Sequence, residues 1–288
     1  MQKKLLITVS DEISCLHGVR FVGSFFRNKS AVSATLFYVA PRANIAGTDR
    51  PRPVELDRKA AEAGQDQARN ALDTARQMLL DRGFAARNLN TKFIFRQFGT
   101  VKDIIREAKS GQYDAVVLGR RGYLLFEATL ATSVTRQILD KEIDFPIWIC
   151  RRPEENRRNV LLCLDGSESS LRMVDHAGFM LKDESEHCVT LLHVDTGEGE
   201  SKEAIMSEAR RKLLDNWVCD GRIYSLVAAS AITGVARIIL EEAQAKGYAA
   251  VGVGRVGIKK GRLKEWLVGS RTMKLVEAIE KAALWVSR

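Results

Sequence analysis

The sequence is poor in the features that mark membrane proteins, disulfide scaffolds and metal sites. No apolar run among its 288 residues approaches the roughly 20 residues that a membrane-spanning helix needs. Its five cysteines are odd in number and scattered, with no Cys-x-x-Cys pair, and its four histidines share no metal-ligand spacing. We therefore expect a cytoplasmic protein with free, buried thiols, no membrane association and no metal site.

Aromatic residues are also scarce, at 7% of the chain, although the net charge is +9. The positive charge lies in residues 1–152, which hold 25 Lys and Arg against 16 Asp and Glu, whereas residues 159–288 hold 18 of each. A nucleic-acid surface combines a basic face with interleaved aromatics, but here basic and acidic residues alternate along helical stretches. The charge therefore indicates solvated helix faces, and we expect no nucleic-acid partner.

Side-chain patterns of fast catalysis are missing as well. The chain has no Ser-His-Asp order, no Walker lysine motif and no paired catalytic carboxylates. Ser167 lies in an Asp-Gly-Ser-Glu turn, but no base is evident beside it. These absences favour a binding protein over a fast enzyme.

Short apolar segments alternate with helical patterns along the chain. The first five predicted strands are residues 4–9, 34–39, 91–95, 115–118 and 147–150. A long helix is predicted over 57–82, with Gly83 at the position after its last turn. Thr100 and Asp103 resemble a capping box, with Asp in place of Glu, at the start of the next helix.

The same order of elements recurs after a charged linker, residues 151–158. The offset between matching segments is 155 at the first two strands, 135 at the fourth and 137 at the fifth. Length differences confined to loops and surface helices are typical of a duplicated domain. We therefore predict two domains, 1–152 and 159–288.

Strands that are apolar throughout and alternate with helices predict a parallel sheet covered on both faces. Each domain should be a doubly wound, Rossmann-like sheet of five strands. Ligands of such sheets bind beyond the carboxyl ends of the strands, where the strand order reverses. Asp165, after the first strand of the second domain, and Gly254, after its fourth, should converge at this edge.

A glycine-rich loop follows the fourth strand of the second domain. Gly254-Arg255-Val256-Gly257 comes directly after an apolar run, and Gly269-Ser270 then opens a helical pattern. Glycines let the backbone approach an anion, and a helix start offers unpaired N–H groups at the positive end of its dipole. The combination predicts a phosphate-binding loop.

In these motifs the chain resembles a tandem universal stress protein over nearly its whole length. The nucleotide-binding members of that family carry an Asp after the first strand and the motif Gly-x2-Gly-x9-Gly-Ser/Thr. The second domain departs from it only in having eleven residues, instead of nine, between Gly257 and Gly269. The resemblance implies one site per chain for ATP or another adenine nucleotide, with or without Mg²⁺; the residues that it assigns to this site are Asp165, Val194, Gly254, Arg255, Gly257, Gly269, Ser270 and Arg271.

The first domain keeps the family spacing but has lost the chemistry. Its motif runs from Gly119 and Gly122 to Thr132, where the third glycine is missing, and Ser10 stands at the position of the strand-end Asp. Asp11 comes one residue late and should face another direction. We expect this site to be degenerate.

The resemblance implies a stress-response regulator or sensor that pairs its two domains through their fifth strands, as an internal pseudo-dimer; a homodimer and an unidentified protein partner remain open. The alternatives are a protein of this fold that binds no nucleotide and acts by association, and a slow ATP-hydrolysing or adenylating enzyme. Between Gly257 and Gly269 the loop carries four basic residues, interpreted either as a lid over phosphate or as a solvated loop: Lys259, Lys260, Arg262 and Lys264.

Overall fold

The computed structural model of the chain describes residues 2–11, 16–41, 54–119, 134–141, 143–195, 197, 201–229, 234–255, 257–258, 267–268 and 270–288. We call residues 1–152 the first half and residues 159–288 the second half. The strands of the first half are β1 (Lys3–Val9), β2 (Val32–Ala40), β3 (Leu89–Phe95), β4 (Ala115–Gly119) and β5 (Ile147–Cys150). Its helices are α1 (His17–Phe25), α2 (Val54–Asp81), α3 (Thr100–Gly111) and α4 (Val134–Leu139).

The second half repeats this order with two additional short strands. Its strands are β6 (Val160–Leu164), β7 (Val189–Asp195), β8 (Ile223–Ala229), β9 (Ala250–Gly254), β10 (Gly257–Ile258), β11 (Leu267–Val268) and β12 (Ala283–Ser287). Its helices are α5 (Glu168–Leu181), α6 (Lys202–Asp215), α7 (Val235–Lys246) and α8 (Ser270–Ala278). Within the described residues, no helix is both long enough and apolar enough to cross a membrane.

Ten strands form one continuous sheet in the order β3-β2-β1-β4-β5-β12-β9-β6-β7-β8. Each half contributes five strands that pair in parallel, and the strand order reverses between β1 and β4 and between β6 and β9. This is the doubly wound arrangement that the alternating pattern predicts, and the prediction of fold class is confirmed.

The two halves join where β5 and β12 pair antiparallel, with Trp148 opposite Trp285. Both strands would be unpaired sheet edges without this contact, and apolar edges favour pairing. The fifth-strand pairing expected from the sequence is therefore present inside one chain.

Each face of the sheet carries one apolar core that runs through both halves. Helices α1, α2, α5 and α6 contribute to the core on one face, and α3, α4, α7 and α8 contribute to the core on the other. Because neither core stops at the junction, the halves share a continuous buried interior.

Aromatic rings fill the junction on the face of α1 and α5. Trp148 and Trp285 stack with centroids 4.3 Å apart and planes at 9°. The indole N–H of Trp148 donates to His176 Nε2 on α5 at 3.0 Å, and rings of α1 surround the pair, with Phe21 at 5.8 Å from Trp148. Packing at the junction accounts for both tryptophans.

A second contact between the halves is built around Glu184, which is fully buried after α5. Its carboxylate accepts the backbone N–H groups of Arg27 at 2.8 Å and Asn28 at 3.2 Å, in the turn that follows α1. His187 donates Nε2–H to the carbonyl oxygen of Phe25 at 2.9 Å. The second half thus satisfies polar backbone groups of the first, which buried N–H and C=O groups require.

Burial raises the pKa of Glu184 to about 7, although the Asn28 N–H, Lys3 and Lys29 favour its charged form. The folded protein therefore holds this proton at pH values where the unfolded chain, with a carboxyl pKa near 4.5, has lost it. We expect the contribution of Glu184 to the free energy of unfolding to decrease by about 2 kcal/mol as the pH rises from 5 to 8.

The check is to subtract the unfolding free energy of Glu184→Gln, which does not titrate, from that of the wild type at each pH. The difference should fall with rising pH. A difference that stays flat or rises would show that Glu184 is ionised throughout the range.

Helix α3 corrects one local prediction. Gly99, with φ at 107°, occupies the N-cap position, and Thr100 is already helical. The carboxylate of Asp103 instead accepts the N–H groups of Gln97 at 2.8 Å and Phe98 at 3.1 Å. The capping interpretation of Thr100 was wrong because the glycine before it supplies the sharp turn. At the end of α2, Gly83 has φ of 89°, as its predicted position after the last turn requires.

Candidate functional site

The carboxyl edge of β6 ends in a tight turn that contains Asp165. Asp165 Oδ1 accepts the backbone N–H of Ser167 at 3.0 Å and its hydroxyl, and Gly166 takes φ of 78°, which a residue with a Cβ rarely adopts. Ser167 Oγ in turn caps α5 by accepting the N–H of Ser170 at 3.2 Å. Asp165 therefore positions Ser167, and it is Ser167 that caps α5.

Asp165 lies at the point where the strand order reverses. Its side chain is exposed, and its Oδ2 has no hydrogen-bond partner in the part of the chain that the structure describes. The neighbouring strand β7 fixes this corner, because His193 donates Nδ1–H to the carbonyl oxygen of Leu164 at 3.0 Å. His193 is thus a satisfied strand histidine, and it lies on the strand next to the one that ends before Asp165.

Gly254 ends β9 against the first turn of α5. A Cβ at this position would lie 2.4 Å from Ser170 N and 2.6 Å from Ser169 C, both backbone atoms. The absence of a side chain thus lets β9 approach the helix start behind Asp165. Asp165 and Gly254 meet at one edge, as their places in the strand order predict, and Gly254 has a packing reason to be glycine.

Gly254→Ala should therefore destabilise the protein by about 3 kcal/mol or more, because backbone cannot move aside cheaply. Gly252→Ala is the matched control on the same strand and the same face. Its Cβ would meet the side chains of Leu162 at 2.6 Å and Met173 at 2.9 Å, which can change rotamer. Urea unfolding of both variants measures the difference, and equal losses would contradict this packing.

The glycine loop after β9 closes as a hairpin. Gly257 pairs with Val268 and Ile258 with Leu267 in the antiparallel strands β10 and β11. This register places Gly257 directly before the N-terminus of α8 at Ser270.

Several predicted residues lie outside the described residues. They are Gly269 and the four basic residues of the loop, Lys259, Lys260, Arg262 and Lys264. The lid hypothesis consequently stays a prediction. Ser270 and Arg271 open α8, and the backbone of this first turn supplies unpaired N–H groups next to Gly257.

Arg255 has a structural role that the sequence did not reveal. It is 4% exposed; its backbone N–H donates to the carbonyl oxygen of Ser287 at 2.6 Å, and Nη1 donates to the carbonyl oxygen of Lys141 at 2.8 Å. The residue after Gly254 therefore holds the loop between α4 and β5 in the first half. A ligand contact by Arg255 stays a prediction.

Ser287 completes the support of this edge from β12. Its hydroxyl donates to the carbonyl oxygen of Ser169 at 2.8 Å, which ties the last strand to the first turn of α5. No sequence signal marks Ser287, because its role depends on β12 lying beside β9. Val194 is 8% exposed and packs in the core of the α7 and α8 face, so little of its side chain is available to a ligand.

The described residues fit a ligand that has an anionic group at one end and hydroxyl or amine donors at the other. Asp165 Oδ2 can accept such donors, and the N-terminus of α8 offers backbone N–H groups and the positive end of a helix dipole. A nucleotide has both kinds of group. Asp165 would hold the nucleoside part, and the backbone around Gly257 and Ser270 would hold phosphate.

The equivalent edge of the first half differs at its strand-end carboxylate. Asp11 Oδ2 accepts from Gln67 Nε2 on α2 at 2.7 Å, so this carboxylate is turned toward α2. Ser10 Oγ and His17 Nδ1 are buried without a hydrogen-bond partner in the described part of the chain. Burial and then Arg20 lower the pKa of His17 to about 4. The predicted loss at Thr132 lies outside the described residues.

The described cysteines are free thiols that differ in burial. Cys150 is buried and Cys163 half-buried, both as free thiols, and burial raises the pKa of each. Among the residues described here, no three His, Cys, Asp or Glu side chains lie close enough together to hold a metal ion.

Two doubly wound halves in tandem, with a glycine loop and a helix start at the carboxyl edge of the second, define a doubly wound α/β protein whose ligands are expected at that edge. The model of the universal stress protein family matches the chain twice, over residues 1–151 and 156–286. The chain belongs to the universal stress protein family.

Solved structures share the fold over the whole length. A universal stress protein from Archaeoglobus fulgidus DSM 4304 is 16% identical with a TM-score of 0.71, over 99% of this chain and 96% of that one. A functionally unknown protein from Pseudomonas aeruginosa PAO1 is 12% identical with a TM-score of 0.57, over 99% and 92%. No protein of curated function matches the sequence significantly.

Proposed function

We propose that this universal stress protein is a cytoplasmic regulator or sensor that binds one adenine nucleotide in its second half. The observation that carries the proposal is the register of β10 and β11, which sets Gly257 before the N-terminus of α8. This helix start lies on the same sheet edge as Asp165. The backbone N–H groups of the helix could bind phosphate there, and the carboxylate of Asp165 could accept hydrogen bonds from the nucleoside.

The contrast between the halves supports one site per chain. In the second half one carboxylate oxygen of Asp165 has no partner among the described residues and a capped helix lies behind it, whereas Asp11 of the first half is bonded to Gln67. We take residues 1–152 and 159–288 as the two domains, with nucleotide bound by the second. Adenine selectivity comes from membership of the family, and the geometry by itself selects only an anion.

Calorimetric titration with ATP, in the presence and absence of Mg²⁺, tests the proposal. Gly269→Thr copies the residue of the first half at the third motif position and should abolish binding while the unfolding midpoint is retained. Thr132→Gly is the matched variant in the first half and should leave the affinity unchanged. Unaltered binding by Gly269→Thr would place the ligand elsewhere.

The alternative, a protein of this fold that acts only by association, is favoured by one observation. Gly254 has a packing reason to be glycine, so this position of the motif would persist without a ligand. Absence of heat up to millimolar ATP would favour that function.

A further inference from the structure

A shallow groove of about 650 Å³ runs along α3 in the first half. The described residues that line it are Lys102, Ile105, Arg106, Lys109, Ser110 and Lys141. Four of the six are basic. The groove therefore lies in the half of the chain that holds the whole excess of positive charge.

The charges are set at helical spacing. Lys102, Arg106 and Lys109 follow at i, i+4 and i+7, so they share one face of α3 and span about 10 Å along its axis. Lys102, Arg106 and Lys141 form no ion pair with any described carboxylate, and Lys109 has only the exposed Asp144, at 3.7 Å. Within the described residues, most of this positive charge therefore has no matching carboxylate.

The groove also has an apolar centre. Ile105 lies between the basic residues and packs against the core of this face, and the methylene stems of Lys and Arg add apolar surface around it. Phe98, 59% exposed, lies at one end. An apolar strip with cationic margins is complementary to an amphipathic helix whose apolar stripe is flanked by acidic residues.

Two features disfavour a nucleic acid as the occupant. The guanidinium of Arg106 lies 5.5 Å from the centroid of the Phe98 ring, so a cation already covers one face of this exposed ring and leaves only the other for base stacking. Asp144 at the Lys109 end places a negative charge where a continuous polyanion would have to pass. A peptide with separated carboxylates avoids both problems.

We propose that the α3 groove docks an acidic, amphipathic helical segment of a partner protein. Docking gives the first half a task of its own, which fits the loss of its nucleotide motif. One wall of the groove is held by the second half, because the carbonyl oxygen of Lys141 accepts from Arg255. The proposal does not depend on nucleotide binding, since the groove lies wholly on first-half residues.

Fluorescence anisotropy with a labelled synthetic peptide tests it on the full-length protein at physiological salt. The probe is an amphipathic helix with a Leu stripe flanked by Glu. The double variant Lys102→Glu/Arg106→Glu should weaken binding about tenfold or more, because it reverses two charges beside the apolar strip. A peptide of the same composition with its Leu stripe scattered should bind several-fold more weakly.

The matched control is Lys59→Glu/Arg69→Glu, which makes the same change of charge at exposed positions of α2 and should leave affinity within about twofold of the wild type. All four positions are exposed, so both variants should keep the wild-type unfolding midpoint. Three results would overturn the proposal. They are equal weakening by both double variants, no binding of the peptide, and tighter binding of a single-stranded oligonucleotide at the same groove.

Discussion

Replacing Trp148 by Phe should lower the free energy of unfolding by about 3 kcal/mol, whereas the same replacement of Trp285 should lower it by about 1 kcal/mol or less. The two residues occupy facing positions of β5 and β12, are both fully buried and stack on each other. The difference that matters here is the partner of the indole N–H.

Trp148 donates to His176 Nε2 at 3.0 Å, so a Phe at this position leaves a buried acceptor unpaired in addition to a small cavity. Trp285 Nε1 is buried without a hydrogen-bond partner in the described part of the chain. Its removal deletes an unsatisfied donor, which offsets the loss of packing. Urea unfolding of the two variants measures the asymmetry, and equal losses would show that the bond to His176 contributes nothing.

Acid should unfold the protein through the same cluster. Burial lowers the pKa of His176 to about 3, well below its ordinary value of 6.5. Protonation of Nε2 would also break the bond from Trp148. Because the unfolded chain takes up this proton first as pH falls, the stabilisation is present above pH 6.5 and is lost toward pH 3, with about 3–5 kcal/mol at stake.

The variant that isolates this effect is His176→Gln, whose amide oxygen can still accept from Trp148 but does not titrate. Its stability at pH 7 should be close to that of the wild type, and the wild type should lose more stability than the variant between pH 6.5 and 4. Parallel pH profiles would contradict a buried neutral His176. Burial lowers the pKa of His187 to about 4 as well, so the variant should retain part of the acid sensitivity.

Much of the fold could be predicted from the sequence because its signals are local and repeated. Each strand is a short apolar run between turn residues, and two copies at nearly constant offset reveal both domains. The convergence of Asp165 and Gly254 follows from strand order alone. The pairing of β5 with β12 could be predicted only from the family resemblance, because nothing in the sequence of residues 147–150 indicates which strand they pair with.

The side chains that couple the halves could not be predicted. Arg255 bonds to Lys141 across 114 positions and Glu184 to Arg27 across 157, and such contacts depend on how the domains dock. A single polar residue that belongs to no motif and no periodic pattern does not indicate in the sequence which distant residue it will contact. The basic groove along α3 could not be predicted for a related reason. Basic and acidic residues alternate along the chain as a whole, and this alternation obscured the one face of α3 that carries only positive charges.

The number of nucleotides bound per chain tests the central claim most directly. Equilibrium dialysis of the full-length protein counts them, with labelled ATP at free concentrations well above the dissociation constant measured by calorimetry. One mole per mole of chain is the expected result, with the count falling to zero for Gly269→Thr. Two moles per chain would contradict the division of labour between the halves, and none would contradict nucleotide binding itself.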